Sequence, residues 1–303
     1  MPQDRGGAAE ERPSWGLEGG GEVAPGRIAL EPLGGGWDFE VFLGWDEHLH
    51  ALVVLKVVRP HLVEDERTLR ALAREAELLR RLAHPVIVRG FGAELDRARP
   101  HLVLEHLEGP TLSRTIRRTG PLDLAQLVPL AFQLASGLAY LANEGVVHLD
   151  VKPGNVILGA PPRLVDLSIA RTVEEAGRVR GPLGTDAYMA PEQCDPAIAP
   201  LGTPADVWGL GATLFHAITG EPPFPRARGF DPEVPLERFP QLRGDPAPEP
   251  HGCPPELSAI VADCLAFEPA ERPPAAAVAD RLEPLVARIR PGRILGRGRP
   301  RIR

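Results

Sequence analysis

Two lysines stand in a chain of 303 residues that carries 34 basic side chains. Lys56 lies in the apolar run Leu52-Val53-Val54-Leu55-Lys56-Val57-Val58, and Lys152 in His148-Leu149-Asp150-Val151-Lys152-Pro153-Gly154-Asn155. Everywhere else the cation is arginine. GC-rich coding accounts for that, and for the abundance of Ala, Gly and Pro. Lysine then persists where a guanidinium will not serve. An ammonium is a compact point charge on a flexible stem, whereas a guanidinium is a wide planar fork. A chemistry that needs such a point charge twice, beside phosphate, is phosphoryl transfer.

Carboxylates and one amide accompany the lysines. Glu75 falls in a helical pattern after Lys56, with Glu77 as its nearest competitor for the lysine. Asp150 and Asn155 flank Lys152, and Asn155 is one of only two asparagines, with Asn143. Asp166 follows the strand-like Leu164-Val165. Singly, each has a plainer reading as a surface charge, a cap or a turn residue. Asp, Lys and Asn in that order, between a capped helix and a strand, form the most specific element.

The elements that must position these groups can be read from periodicity. Strand-like runs at 27–33, 39–45 and 52–58 are separated by glycines and polar residues, as in an antiparallel meander. A helical pattern spans 63–83, with Leu69, Leu72, Ala76, Leu79 and Leu82 on one side. Strands at 86–92 and 101–105 follow. After Gly109-Pro110 the character turns helical. The spacing predicts a helix over 122–143 ending at Gly145, with Pro129 as a possible kink point, and another over 204–219 ending at Gly220. Short strands at 156–158 and 163–165, a Pro-rich loop over 221–255, and helices at 256–266 and 274–290 complete the chain. The expected class is α+β, a small β-rich lobe followed by a larger helical lobe.

Bulk properties narrow the function. At 43% hydrophobic and 25% charged residues the chain can bury a core. A net charge of −7 argues against a nucleic-acid binder. From Arg288 to Arg303 there are seven arginines and no acid, which leaves about −14 for the rest. Cys194, Cys253 and Cys264 are too few for a disulfide framework, so a reducing cytoplasm is expected. The sequence shows no metal-ligand spacing, no signal peptide and no apolar run of bilayer length. Residues 1–26, rich in Gly, Glu and Pro, read as disordered. The arginine tail 288–303 reads as a solvated end or as an anchor for anionic lipid or nucleic acid, a weak anionic-surface contact.

The order of motifs resembles the bacterial, eukaryotic-like (Hanks-type) serine/threonine protein kinases over about 27–285. The resemblance implies a bilobal domain at 27–287, with an N-lobe at about 27–104 and a C-lobe at about 108–287. It also implies ATP with Mg²⁺ or Mn²⁺ in the cleft and a protein substrate with a Ser or Thr acceptor. Leu33, Gly34, Gly36 and Val41 align with the glycine-rich loop, whose third glycine is replaced by Phe39. Lys56 would contact the nucleotide phosphates and Glu75 would pair with it. Glu105 to Leu107 would form the hinge, behind Leu104. Asp150 would orient the acceptor hydroxyl, Lys152 would neutralise the moving phosphoryl group, and Asn155 and Asp166 would hold metal. Gly184 to Glu192 resembles the substrate-receiving segment, with Thr185 near Asp150 and Lys152. Glu192 would pair with Arg272, and Asp206 would brace the catalytic loop.

Three departures, Phe39, Leu149 and Ser168, support a rival expectation: a pseudokinase scaffold that binds nucleotide or a partner without efficient transfer. A small-molecule kinase is a third reading, weakened by the substrate segment and Arg272. Leu149 replaces the arginine that binds an activation-loop phosphate in many relatives. The loop from Ser168 to Thr185 offers only Thr172 as a free acceptor, so activity independent of loop phosphorylation is expected.

Overall fold

The computed structural model describes residues 13–17, 19–227 and 229–289. These divide into two compact units: residues up to Glu108 with Val165–Ala170, and Gly109–Leu164 with the chain from Arg171 onward. The first is a β-sheet lobe and the second a helical lobe.

The first unit is built on strands β1 (Gly21–Ala24), β2 (Arg27–Gly35), β3 (Phe39–Asp46), β4 (Ala51–Val58), β5 (Gly90–Glu94) and β6 (His101–Glu105), with helix α1 (Glu66–Arg81) between β4 and β5. They form one antiparallel sheet in the order β1-β2-β3-β4-β6-β5. Strand alternation separates the faces of β4. Val53, Leu55 and Val57 are fully buried with Ala29, Phe42 and Val103. Lys56 turns to the other face, directly across from Val41 and Leu102.

The expectation of disorder over 1–26 fails for the described part of that segment. Leu17 and Val23 enter the same core, Trp15 packs against it, and β1 pairs with β2. Composition had suggested a solvated segment, but two apolar side chains and one indole suffice to hold it to the sheet. The run Val86-Ile87-Val88 is buried, yet strand β5 itself starts only at Gly90.

The second unit holds α2 (Leu112–Thr119), α3 (Leu124–Asn143), β7 (Val146–Val147), β8 (Val156–Ile157), β9 (Arg163–Leu164), β10 (Arg171–Thr172), α4 (Val173–Ala176), α5 (Pro191–Cys194), α6 (Thr203–Thr219), α7 (Pro235–Arg238), α8 (Pro255–Cys264) and α9 (Ala275–Ile289). Helix α3 packs on α6 and α9, and α6 on α8. The Asp123 carboxylate caps α3 by accepting the Gln126 N–H, and the helix runs on through Pro129. By length and composition α3 could cross a bilayer, although the sequence reading found no such run. Its Leu127, Leu134, Leu138 and Leu141 are buried in this unit, as in a core helix. At the end of α6, Gly220 takes a left-handed φ of 86° and its N–H closes on the His216 carbonyl. Arg288 pairs with Glu256; the arginine tail from 290 onward lies outside the described residues, as do residues 1–12.

Candidate functional site

In the β-sheet lobe the site is a buried charge cluster. Helical spacing puts Leu72, Glu75 and Leu79 on one face of α1, so Glu75 is carried inward with the two leucines. Glu77 lies on the opposite side, exposed and paired with Arg80. The Lys56 ammonium donates to both Glu75 oxygens, at 2.8 and 3.0 Å, and to Asp166 Oδ1 at 2.8 Å. Burial alone pulls the Lys56 pKa down, but the carboxylates of Asp166 and Glu75 outweigh it and the net shift is upward. Burial pushes the Glu75 carboxyl up; the ammonium opposes that shift, as does an N–H bond from Leu167. Asp166 sits at a left-handed φ of 67°, a sparsely populated conformation for a side-chain-bearing residue that concentrates at functional sites.

The glycine-rich turn joins β2 to β3 in this same unit. Gly34 and Gly35 have φ of 138° and 141°, and a Cβ on Gly35 would strike the Phe39 carbonyl. Gly36 donates its N–H to that carbonyl at 3.1 Å. Leu33 is exposed and Val41 half-buried. Phe39, at the position where the family has its third glycine, is 8% exposed, and its ring centroid lies 4.9 Å from the Lys56 ammonium. Glu105 continues the sheet, accepting the Arg89 N–H through Oε1 at 2.8 Å, with half-buried Leu107 beyond it.

In the helical lobe the loop between β7 and β8 is held from three sides. Asp206, in the first turn of α6, accepts the N–H groups of His148 and Leu149, each at 2.7 Å. Burial pushes the Asp206 carboxyl up and those two donors pull against it. One turn on, a Cβ at Gly209 would come within 2.9 Å of Val151, so only glycine lets α6 approach this closely. Gln193 donates to the Leu149 carbonyl at 2.8 Å. Leu149 itself has φ 66°, costing about 1–2 kcal/mol in a non-glycine residue. Its two backbone bonds and its buried side chain hold it there.

This bracing presents a compact polar set. Lys152 donates to Asp150 Oδ2 at 2.7 Å and to Thr185 Oγ1 at 2.6 Å. Thr185 donates to Asp150 Oδ1 at 2.7 Å. Asn155 donates through its amide nitrogen to the Asp150 carbonyl and to Oδ2, at 2.9 and 3.0 Å. The carboxylate of Asp150 is therefore fixed by three side-chain donors, and Asn155 keeps its oxygen as the acceptor end.

For a divalent cation the donor chemistry fits. In the β-sheet lobe Asp166 offers a hard oxygen ligand on a side chain 40% exposed, and in the helical lobe Asn155 offers another. Among the described residues no group of three or more His, Cys, Asp or Glu could hold a metal. Mg²⁺ needs no such cage, because one or two protein oxygens plus substrate phosphates complete its shell.

Thr172, read from sequence as a free acceptor, is instead the N-cap of α4. It forms a capping box with Glu175. The spacing Thr172-x-x-Glu175 is the signal that would have found this helix. Asp186 was not singled out from sequence. It carries ion pairs from Arg226 and Arg238 that pin the segment after Thr185 to the Pro-rich stretch beyond α6.

The β-sheet lobe carries a buried lysine–glutamate–aspartate cluster, and the helical lobe a braced Asp-x-Lys-x-x-Asn loop; each is a feature of protein-kinase domains. The protein kinase domain family matches residues 28–281, and the chain belongs to that family. It is 35% identical to the serine/threonine-protein kinase PkaA of Streptomyces coelicolor over 74% of this chain and 41% of the relative. It is 35% identical to the serine/threonine-protein kinase pkn2 of Myxococcus xanthus over 69% of this chain and 26% of that one. With the serine/threonine-protein kinase PknB of Mycobacterium tuberculosis it shares 31% identity over 80% of this chain and 40% of the relative. The chain thus spans less than half the length of these relatives.

Proposed function

We propose that this chain transfers the γ-phosphoryl group of ATP to a serine or threonine hydroxyl of a protein. The Asp150–Lys152–Thr185–Asn155 constellation carries the reading. Asp150 accepts the proton of the acceptor hydroxyl, and its three donors fix the direction in which it can accept. Lys152 offers a point charge beside it for the moving phosphoryl group. Lys56, kept charged and steered by Glu75, binds the nucleotide phosphates, with Gly34 and Gly36 giving backbone access. Leu33, Val41, Glu105 and Leu107 receive the nucleoside. Asn155 and Asp166 hold Mg²⁺ or Mn²⁺, which neutralises phosphate charge when bound. The catalytic power is positioning and electrostatics. Three free thiols fit action in a reducing cytoplasm.

The test is incubation with labelled MgATP and a generic basic protein. Label on serine or threonine, abolished by chelator, is expected; nucleotide binding without transfer would mark a pseudokinase scaffold instead. Lys56→Arg is expected to lose more than about tenfold in turnover with the fold intact, because a planar fork cannot replace a point charge between two carboxylates. Near-wild-type turnover would sink that assignment.

Phe39 makes a second expectation. Its ring lies against the ammonium that the phosphates must reach, so binding has to displace a cation–π contact. Phe39→Ala is expected to lower the KM for ATP by about 2- to 30-fold, matching about 0.5–2 kcal/mol for such a contact. An unchanged or higher KM would show that the ring does not compete.

Loop phosphorylation is not needed on this reading. Leu149 cannot pair with a phosphate, and Thr172 is committed to its helix cap. Phosphatase treatment is expected to leave turnover unchanged, and a large loss would refute the reading.

A further inference from the structure

The N-terminal segment reaches the glycine-rich turn through a chain of polar contacts inside the β-sheet lobe. The Trp15 indole N–H donates to the Val58 carbonyl at 2.7 Å, and the Arg99 guanidinium lies 4.9 Å over its ring. Just before it, the Ser14 hydroxyl donates to Glu40 Oε1 at 2.6 Å, while the Trp15 backbone N–H donates to Glu40 Oε2 at 3.1 Å. Glu40 is 6% exposed and follows Phe39 on β3. Arg59 closes the circuit. Its Nη1 lies 3.6 Å from Glu40 Oε1 and donates to the Pro13 carbonyl at 3.1 Å, and its Nε donates to the Gly36 carbonyl at 2.9 Å. One guanidinium therefore ties the segment, the buried carboxylate and the turn together.

At the Glu40–Arg59 pair the charges balance only while Ser14 is neutral. Glu40 and Arg59 offset each other, and the hydroxyl serves as donor to the carboxylate. Ser14 is an exposed residue, and its hydroxyl also accepts the Gly16 N–H at 3.2 Å. A phosphoryl group there would carry about −1.5 to −2 at neutral pH and, as a dianion, would have no proton to donate to Glu40. Among the described residues Arg59 is the arginine in ion-pair range of Glu40, so phosphate and buried carboxylate would compete for it, and like-charge repulsion would part the segment from β3.

We propose that Ser14 is a phosphoryl-acceptor site whose modification unlatches residues 13–17 and releases Arg59 from the Gly36 carbonyl, freeing the glycine-rich turn. The phosphoryl donor rests on the protein-kinase reading above. Ser14 Oγ attacks the γ-phosphorus of ATP, the bond to the ADP oxygen breaks, and the hydroxyl proton passes to the base of the phosphorylating copy.

The full chain is incubated with MgATP and a generic basic protein, and phosphate is mapped by mass spectrometry. Label on Ser14 and on the generic protein is expected. Label on the generic protein with none on Ser14 overturns the acceptor site but leaves the kinase standing; no label on either overturns both. Separately, S14D and S14D/E40Q are compared with wild type by amide hydrogen exchange and nucleotide kinetics. S14D is expected to speed exchange over residues 36–40 and to raise the KM for ATP about 3- to 10-fold, the scale of one lost hydrogen bond, with kcat little changed. S14D/E40Q is expected to recover most of both effects, because the amide donates where the carboxylate repelled. Wild-type exchange and KM in S14D, or no recovery in the double variant, would overturn the latch.

Discussion

Replacing Asp150 by asparagine is expected to lower kcat by roughly 10²- to 10⁴-fold, the usual worth of a positioned general base. The substitution is nearly isosteric, and much of the polar set around it can persist. The Asn155 amide can still donate to the backbone carbonyl of residue 150, and Thr185 and Lys152 keep their contact with each other. What goes is the charge that accepts a proton. The KM for ATP should therefore move little, while turnover collapses. A pure kcat effect separates a lost base from a misfolded loop, which would raise both KM and protease sensitivity. Turnover within tenfold of wild type would remove Asp150 from the chemistry.

The largest expected effect on stability lies at Arg272. Its guanidinium meets Glu192 through two parallel bonds at 2.6 and 2.8 Å, and both side chains are essentially inaccessible. The remaining N–H bonds go to the carbonyls of Ala266, Pro204 and Phe267, and the Trp208 ring lies 5.0 Å below the plane. Every donor of the fork is used. Arg272→Ala leaves the Glu192 carboxylate and three carbonyls without their partner, and should cost about 3–5 kcal/mol. For a domain of this size that is a Tm lowered by about 6–20 °C. Glu192→Gln should cost less, because the amide oxygen still accepts. Replacing both partners with apolar residues of matched volume should recover part of the loss, since the pair's own net worth is small once desolvation is counted. A Tm unchanged in Arg272→Ala, by calorimetry, would contradict this account.

Where the sequence carried a strong period or a punctuating residue, the fold was legible in it. The meander strands were visible because glycines bracket apolar alternation, and α3 and α6 because each runs into a glycine. The elements that escaped are short or compositionally disguised. Strand β1 sits in a stretch whose glycines and glutamates outnumber its few anchoring apolar residues. Helix α2 is polar on most of its surface, although Gly120 after Arg117 and Arg118 marked its end. Helix α4 announced itself only through its capping box. In the site, Glu75 could be separated from Glu77 by helical phase alone, since the first shares a face with Leu72 and Leu79. Nothing local, by contrast, indicated that Phe39 lies over Lys56 or that Asp186 gathers two arginines. Those contacts join residues up to 52 positions apart, and local spacing carries no signal for them.

The Lys56 cluster also has a history within each round of synthesis. Lys56 and Glu75 are 19 residues apart, but the third member, Asp166, is 110 residues downstream of the lysine. It arrives on the segment Val165–Ala170, which belongs to the β-sheet lobe although the chain on either side of it does not. At about 5–20 residues per second, the ribosome makes Asp166 about 5–20 s after Glu75. During that interval the lysine has one carboxylate partner, and the lobe lacks a piece of itself. A nascent chain halted near residue 110 should therefore hold a sheet lobe that is paired but incomplete. No single cut in the gene would yield that lobe whole.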